Sequence, residues 1–164
     1  MIRPATPDDA AALAGVQIRA WWRAYADLVD HDKLSEHTVA SRTERWQEIL
    51  AGGETQTAVA EAAGRVAGFA SVGAPRHAEP EPGLGELHAL YVDPPAQGAG
   101  VGSALLAEAE ARLRAHGFER GVLCVFEANG LARAFYAARG WSREQPHTVL
   151  ADRWAPEIRM RKEL

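Results

Sequence analysis

Three glycines at alternate positions, Gly98, Gly100 and Gly102, lie in the segment Val92-Asp93-Pro94-Pro95-Ala96-Gln97-Gly98-Ala99-Gly100-Val101-Gly102-Ser103. Residues without a Cβ turn tightly and admit a ligand close to the backbone. A helix expected from Val101 adds unpaired N–H groups and the positive end of its dipole. The segment therefore suits an anion, a phosphate or pyrophosphate. A dinucleotide fingerprint would need glycine where Ser103 stands, and no acidic residue ends a second strand about 20 residues on. A triphosphate loop would need Gly-Lys-Ser/Thr, and the segment has no lysine. On the loop alone, a glycine-rich turn without a ligand is the alternative.

Other reactive side chains are sparse. Cys124 sits in the apolar run Val122-Leu123-Cys124-Val125-Phe126 with no adjacent histidine, which reads as a buried structural thiol rather than a nucleophile. His31, His37, His77, His116 and His147 show no tight ligand spacing, so no metal is expected. Trp21, Trp22 and Tyr25 cluster at the end of the first expected helix. They form either an aromatic wall for an apolar or cationic group or, for Trp21, part of the core. The charges of Glu108 to Arg114 read as a solvated helix face.

The elements that must hold these residues follow from periodicity. Ile2 to Ala5 is a strand. Thr6-Pro7-Asp8-Asp9 opens a helix that buries Leu13, Val16, Gln17, Ala20, Trp21 and Ala24. A loop over Asp27 to Lys33 precedes a helix from Glu36 to Leu50 with Val39, Trp46 and Ile49 inward. Thr57 to Glu61 and Val66 to Val72 form a hairpin around Ala63-Gly64. After a loop from Ala74 to Gly83 comes a strand from Glu86 to Val92, then a helix from Val101 to His116 capped by Gly117. A strand from Gly121 to Phe126, a helix from Asn129 or Gly130 to Arg139, and strands near Thr148–Leu150 and Glu157–Arg161 complete the chain. This order predicts an α/β fold with a mixed sheet of about seven strands and helices on both faces.

The 164 residues imply one domain, 1–164, able to bury about two-thirds of its unfolded surface. An apolar fraction of 47% with 24% charged residues excludes general disorder. The single cysteine excludes a disulfide framework, and no apolar run approaches a membrane span. The N-terminal MIRPATPDD has no apolar signal core, so a reduced cytoplasm is expected. A net charge of −4 argues against nucleic acid as the main partner.

Two segments together resemble GNAT-type N-acetyltransferases. Gln97-Gly98-Ala99-Gly100-Val101-Gly102 fits the family's Q/R-x-x-G-x-G/A signature, preceded by the strand exit Leu90-Tyr91-Val92-Asp93-Pro94. Asn129 to Trp141 is similar to its second motif, N-x-x-A-x-x-F-Y-x-x-x-G-F/W. The motifs cover about Glu86 to Trp141, and the element order extends the match over nearly the whole chain. The resemblance implies an acyl-CoA N-acyltransferase fold whose sheet splays between the strands at Glu86 and Val122. It implies that amides of Gly98, Ala99, Gly100, Val101, Gly102 and Ser103, following Gln97, hold the pyrophosphate of acetyl-CoA. The backbone of Tyr91 and Val92 would pair with the pantetheine arm, which Asn129 would also contact. Trp21, Trp22 and Tyr25 would border the acceptor. Homodimers are common in the family, and strands near the C-terminus would supply the interface.

Acetyl transfer to an amine raises two proton problems. An alkyl amine with a pKa near 10 is only roughly 0.1% neutral at pH 7, and the leaving thiolate needs a proton. A positioned base and acid each contribute about 10²–10⁴-fold. Glu86, eleven residues before Gln97, has the spacing of the strand glutamate in histone-acetylating members and is the candidate base. His88, two residues on, is the alternative base or a histidine of the substrate cleft. Tyr136 matches the family tyrosine placed near the thioester sulfur and is the candidate acid. The resulting expectation is acetyl transfer from acetyl-CoA to a primary amine of a small molecule or amino acid, by direct attack in a ternary complex. A non-catalytic CoA-binding module, or acetylation of a protein or peptide amine, is the alternative.

Overall fold

The structure, a computed structural model, describes residues 1–76, 78–144 and 154–164. Strand β1 (Ile2–Pro4) and a 3-10 turn (Pro7–Asp9) lead into α1 (Ala10–Tyr25), α2 (His31–Ser35) and α3 (Val39–Gly52). Then come β2 (Thr55–Ala62), β3 (Arg65–Gly73), β4 (Leu84–Val92), a second 3-10 turn (Pro94–Ala96) and α4 (Val101–Ala115). Strand β5 (Arg120–Phe126), α5 (Gly130–Ala137), β6 (Ser142–Arg143) and β7 (Glu157–Glu163) follow. The seven strands form one mixed sheet in the order β1-β2-β3-β4-β5-β7-β6. Only β4 and β5 run parallel.

Two helical layers cover the faces, as the element order predicted. The stripe Leu105, Leu106, Ala109 and Leu113 of α4 is fully buried against Ala70, Val72, Leu87, Leu123 and Val125. Gly85 permits this close approach, since a Cβ there would lie 2.6 Å from Leu113 Cδ2. On the opposite face, Leu13, Ala14 and Val16 of α1 pack with Trp46 of α3 against Val59 and Phe69. Gln17 ties the two helices: its Oε1 accepts from Trp46 Nε1 at 2.9 Å and from Arg42 Nε at 3.0 Å.

Several local expectations change. The expected loop at Asp27–Lys33 contains most of α2, whose first turn Asp30 caps by accepting from the Asp32 N–H. Helix α3 begins at Val39 because Thr38 and Ser41 form a reciprocal cap, and this leaves Val39 exposed rather than inward. Helix α5 stops short of Arg139. The sixth strand is Ser142–Arg143; the expected strand at 148–150 lies outside the described residues. The Glu108–Arg114 stretch is not wholly solvated. Glu110 is buried, accepting from Lys162 Nζ at 2.8 Å and Trp141 Nε1 at 3.0 Å.

The start of α1 is fixed by charge. Arg3 on β1 donates two hydrogen bonds of 2.8 Å to buried Asp9, whose carboxylate also accepts from the Thr6 N–H at 2.7 Å. These bonds, Arg3 first, hold the Asp9 pKa down to about 2. A depressed folded pKa gives stability that is complete above the unfolded value, near 4, and is lost as pH falls toward 2. Urea midpoints of the wild type are therefore expected to fall between pH 5 and pH 3 more steeply than those of Asp9→Asn. Equal slopes in the two proteins would remove Asp9 from the acid sensitivity.

Candidate active site

The cleft begins where the parallel pairing ends. Strands β4 and β5 pair only over Leu84–Glu86 and Arg120–Val122. Beyond those residues they diverge, while β4 keeps its pairing with β3 to Val92. Backbone groups of Leu87–Val92 that face β5 consequently lack a strand partner. A cleft of about 1200 Å³ opens there and extends from Glu86 to the glycine loop. The splay expected between the strands at Glu86 and Val122 is present at those residues.

A β-bulge sets which side chains face the cleft. Leu87 pairs with Val72 and Ala89 with Ser71, leaving His88 as the extra residue. The bulge shifts the alternation. Leu87, Leu90 and Val92 face α4, and Ala89 and Tyr91 face α1. The His88 ring lies against Gly73, and its Nε2 is 2.8 Å from the Ala74 carbonyl. A carbonyl only accepts, so Nε2 donates there and, in a neutral ring, Nδ1 carries the lone pair. Glu86, on the α1 face at the apex of the splay, is 1% exposed, and its Oε2 accepts from the Arg76 N–H at 2.5 Å. Both residues line the cleft.

The glycine loop forms the other end. Gly98 and Gly100 have φ of +80° and +82°, a left-handed backbone that glycine adopts without strain. Gly100 caps α4, and no atom lies within 4 Å of where its Cβ would stand. Gln97 uses its side chain to donate to the Val92 carbonyl at 3.1 Å, fixing the strand exit. Ala99 and Val101 do not form the wall; Val101 packs into the α4 core. Ser103 accepts from Arg139 Nη2 at 2.6 Å, and that guanidinium stacks 3.9 Å from the Phe135 ring. A cation thus stands beside the α4 N-terminus, an arrangement suited to an anion. Asn129 lines the cleft, but its Oδ1 caps α5 by accepting from Ala132 N–H at 3.1 Å.

Three phenols gather between these ends. Tyr91, Tyr25 and Tyr136 all line the cleft. Tyr136 is half-buried, and burial, then Tyr91, pushes its pKa upward. Burial chiefly, then contact with Tyr91, raises the Tyr25 pKa well above its ordinary value. Tyr91 also touches Trp21 (ring centroids 6.2 Å apart) and Phe69 (5.6 Å).

Trp21 belongs to both core and cleft: it is 8% exposed, packs with Leu34 and Phe126, and forms part of the wall. Trp22 does not join it. One step round the helix, Trp22 is exposed and lies edge-on to His31. Cys124 is half-buried on the cleft wall rather than in the core, because β5 loses its neighbour β4 beyond Val122. Sequence reasoning missed Arg42, Arg139 and Trp154, all on the wall. Arg139 had a signal, its i,i+4 spacing from Phe135; Arg42 and Trp154 come from distant segments and had none. Among the described residues no group of three or more potential metal ligands gathers, and His77 and His147 lie outside them.

A model of the acetyltransferase (GNAT) family matches residues 17–141. The N-acetyltransferase YuaI of Bacillus subtilis is 31% identical over 128 residues, covering 78% of this chain and 72% of its own. A mycothiol acetyltransferase of Salinispora arenicola is 35% identical over 147 residues, or 88% of this chain. This chain spans only 44% of that relative's length. In structure, PaiA N-acetyltransferase from Thermoplasma acidophilum in complex with coenzyme A aligns over 100% of this chain and 98% of its own. Its TM-score is 0.79 at 20% identity, a likeness of fold.

The raised phenols give a direct optical test. An ordinary tyrosine ionises near pH 10. In the folded protein Tyr25 and Tyr136, two of three tyrosines, stay protonated beyond that value. Above pH 10 the unfolded chain loses protons that the folded chain keeps, so stability falls as pH rises. Tyrosinate absorbance at pH 11 should jump on denaturation, and the jump should shrink in Tyr136→Phe. Complete ionisation in the folded protein at pH 11 would contradict the buried placement.

Proposed function

Because the chain belongs to the GNAT acetyltransferase family and is an acetyl-CoA-dependent acyltransferase, we propose that it acetylates the primary amine of a small acceptor by direct attack in a ternary complex. Residues 1–164 act as one catalytic domain in this reading. The observation that carries it is the single cleft joining the glycine loop to Glu86 and the aromatic end of α1. A donor and an acceptor can lie in it together, so no acyl-enzyme is needed, and proximity supplies much of the acceleration. The similarity to an acetyltransferase of mycothiol supports a small acceptor.

The loop amides from Gly98 to Ser103, with Arg139 beside them, hold the pyrophosphate of acetyl-CoA. The cleft-facing edge of β4 at Tyr91 and Val92, where Gln97 already holds the Val92 carbonyl, offers its remaining backbone groups to the pantetheine arm as a neighbouring strand would. Acetyl-CoA supplies the activated acetyl group. Glu86 receives the ammonium proton, directly or through water. Tyr136 returns a proton to the departing thiolate. Burial raises the pKa of this phenol, so it is protonated and available as that donor at neutral pH. His88, with Nε2 held by Ala74, positions the acceptor. The primary experiment is an acceptor screen with free-thiol detection. Thiol release that depends on a small amine supports the reading; acetyl-CoA binding without release from any amine would make this a binding module instead.

Glu86→Gln keeps size and removes basicity. Its kcat/KM is expected to fall by about 10²-fold near neutral pH and to recover partly at high pH, where the amine deprotonates itself. His88→Gln should mainly raise the acceptor KM. The reverse pattern would exchange their roles.

Tyr136→Phe removes only the hydroxyl. If chemistry limits turnover, kcat should drop by roughly 10–10³-fold with little change in acetyl-CoA affinity. An unchanged kcat in single-turnover measurements would leave Tyr136 a packing residue.

A further inference from the structure

The acceptor end of the cleft holds a donor that the mechanism above does not use. Arg42, on α3, is half-buried on the wall, and its guanidinium carbon lies 5.3 Å from the Trp21 ring centroid. Its Nε is spent on Gln17, whose Oε1 is neutral. Among the described residues no carboxylate forms an ion pair with Arg42. Burial works against its charge most, Tyr91 offsets part of that, and Arg45 adds to it, leaving the Arg42 pKa lowered. A partly desolvated guanidinium without a counter-charge is costly unless an anion arrives. Beside it, Trp21 is 8% exposed, and its buried Nε1–H has no acceptor among the described residues. A buried N–H left without an acceptor carries the full cost of desolvation. The Arg42 cost is relieved by an anion seated against its guanidinium, whereas Trp21 Nε1 is closed to the cleft and only other parts of Trp21 form the wall there.

The surroundings select the rest of the ligand. The His37 ring packs 5.4 Å from Trp21 and 4.9 Å from Trp154, placing flat aromatic surface beside Arg42. Gln17 anchors Arg42 through the same oxygen that receives Trp46, so the guanidinium is held rather than swinging in solvent. Glu86 lines the same cleft as Arg42. An ammonium near a carboxylate base and an anion near a fixed guanidinium are the two ends of an amino acid.

We infer that the acceptor is an amino carboxylate, its carboxylate held by Arg42 beside the Trp21 ring while its amine is presented to the acetyl donor. The inference rests on the acetyltransferase reading and narrows its substrate class. A planar guanidinium matches a carboxylate with two parallel donors, which lysine cannot do.

The test pairs each of the twenty standard L-amino acids with its carboxamide, which keeps the amine and side chain and removes the negative charge. Free-thiol release is measured for both, and binding to the CoA-loaded protein is followed by calorimetry. At least one free acid is expected to exceed its amide in kcat/KM by tenfold or more. In Arg42→Gln that preference should collapse to within about twofold through a rise in KM. Arg42→Lys, which keeps a charge without the planar fork, should keep part of it. Amides that match or surpass the acids would overturn the carboxylate site while leaving acetyl transfer intact. Should no acceptor release thiol, the catalytic reading fails. Calorimetry then decides the site alone: acid-selective binding lost in Arg42→Gln upholds it, and unselective or absent binding overturns it.

Discussion

Three residues of parallel pairing govern the site. Strands β4 and β5 are neighbours over Leu84–Glu86 and Arg120–Val122 and separate beyond. Two parallel strands that stayed paired would satisfy each other's backbone and leave no opening. Divergence converts that backbone into a binding surface, sets Glu86 at the apex, and exposes Cys124 to the cleft. The helical layers make this tolerable: α4 covers one face on both sides of the splay, and α1 with α3 covers the other face of β2 to β4. Ties along the rim hold the halves. Arg19 of α1 grips Asp93 at the β4 exit through bonds of 2.7 and 3.0 Å, and Arg139 joins α5 to the start of α4.

The two ends of the cleft solve opposite electrostatic tasks. At the glycine loop the positive potential is backbone-made, from helix amides that pay no side-chain entropy, with one guanidinium added. At the acceptor end it is side-chain-made, and Gln17 restrains what would otherwise be a flexible arginine. Between them lie three phenols whose burial favours the neutral form at two positions, so the centre of the cleft carries little fixed charge.

Much of this was legible in the chain. The β and α order, the α4 stripe and the glycine loop follow from local periodicity and from residue types with few alternative uses. The family resemblance located the splay at Glu86 and Val122, since its two motifs flank it. What escaped sequence reading was non-local. The bulge leaves the His88 ring on the Glu86 side, against Gly73, but reverses the alternation beyond it, so that Ala89 and Tyr91, rather than Leu90 and Val92, turn toward α1. Trp22 shared every compositional cue with Trp21, yet a rotation of one residue on α1 put it outside. Arg42 and Trp154 reach the wall from distant segments, so only tertiary structure discloses them. Glu110 looked solvated because its partners, Trp141 and Lys162, are 31 and 52 residues away.

The splay has a consequence for misassembly. Open strand edges are templates on which other chains add, and proteins blunt them with short strands and charge. Here the outer strands β1 and β6 are three and two residues long, and β7, which β6 covers only in part, carries the basic residues Arg159, Arg161 and Lys162. The longest run of unpaired strand backbone among the described residues is instead internal, at Leu87–Val92. Residues of α1 and α5 line the cleft over it, so an added strand has to enter the cleft rather than lie along an outer edge of the sheet. The fold thus keeps its stickiest hydrogen-bonding surface where only a slender, flexible ligand can reach it.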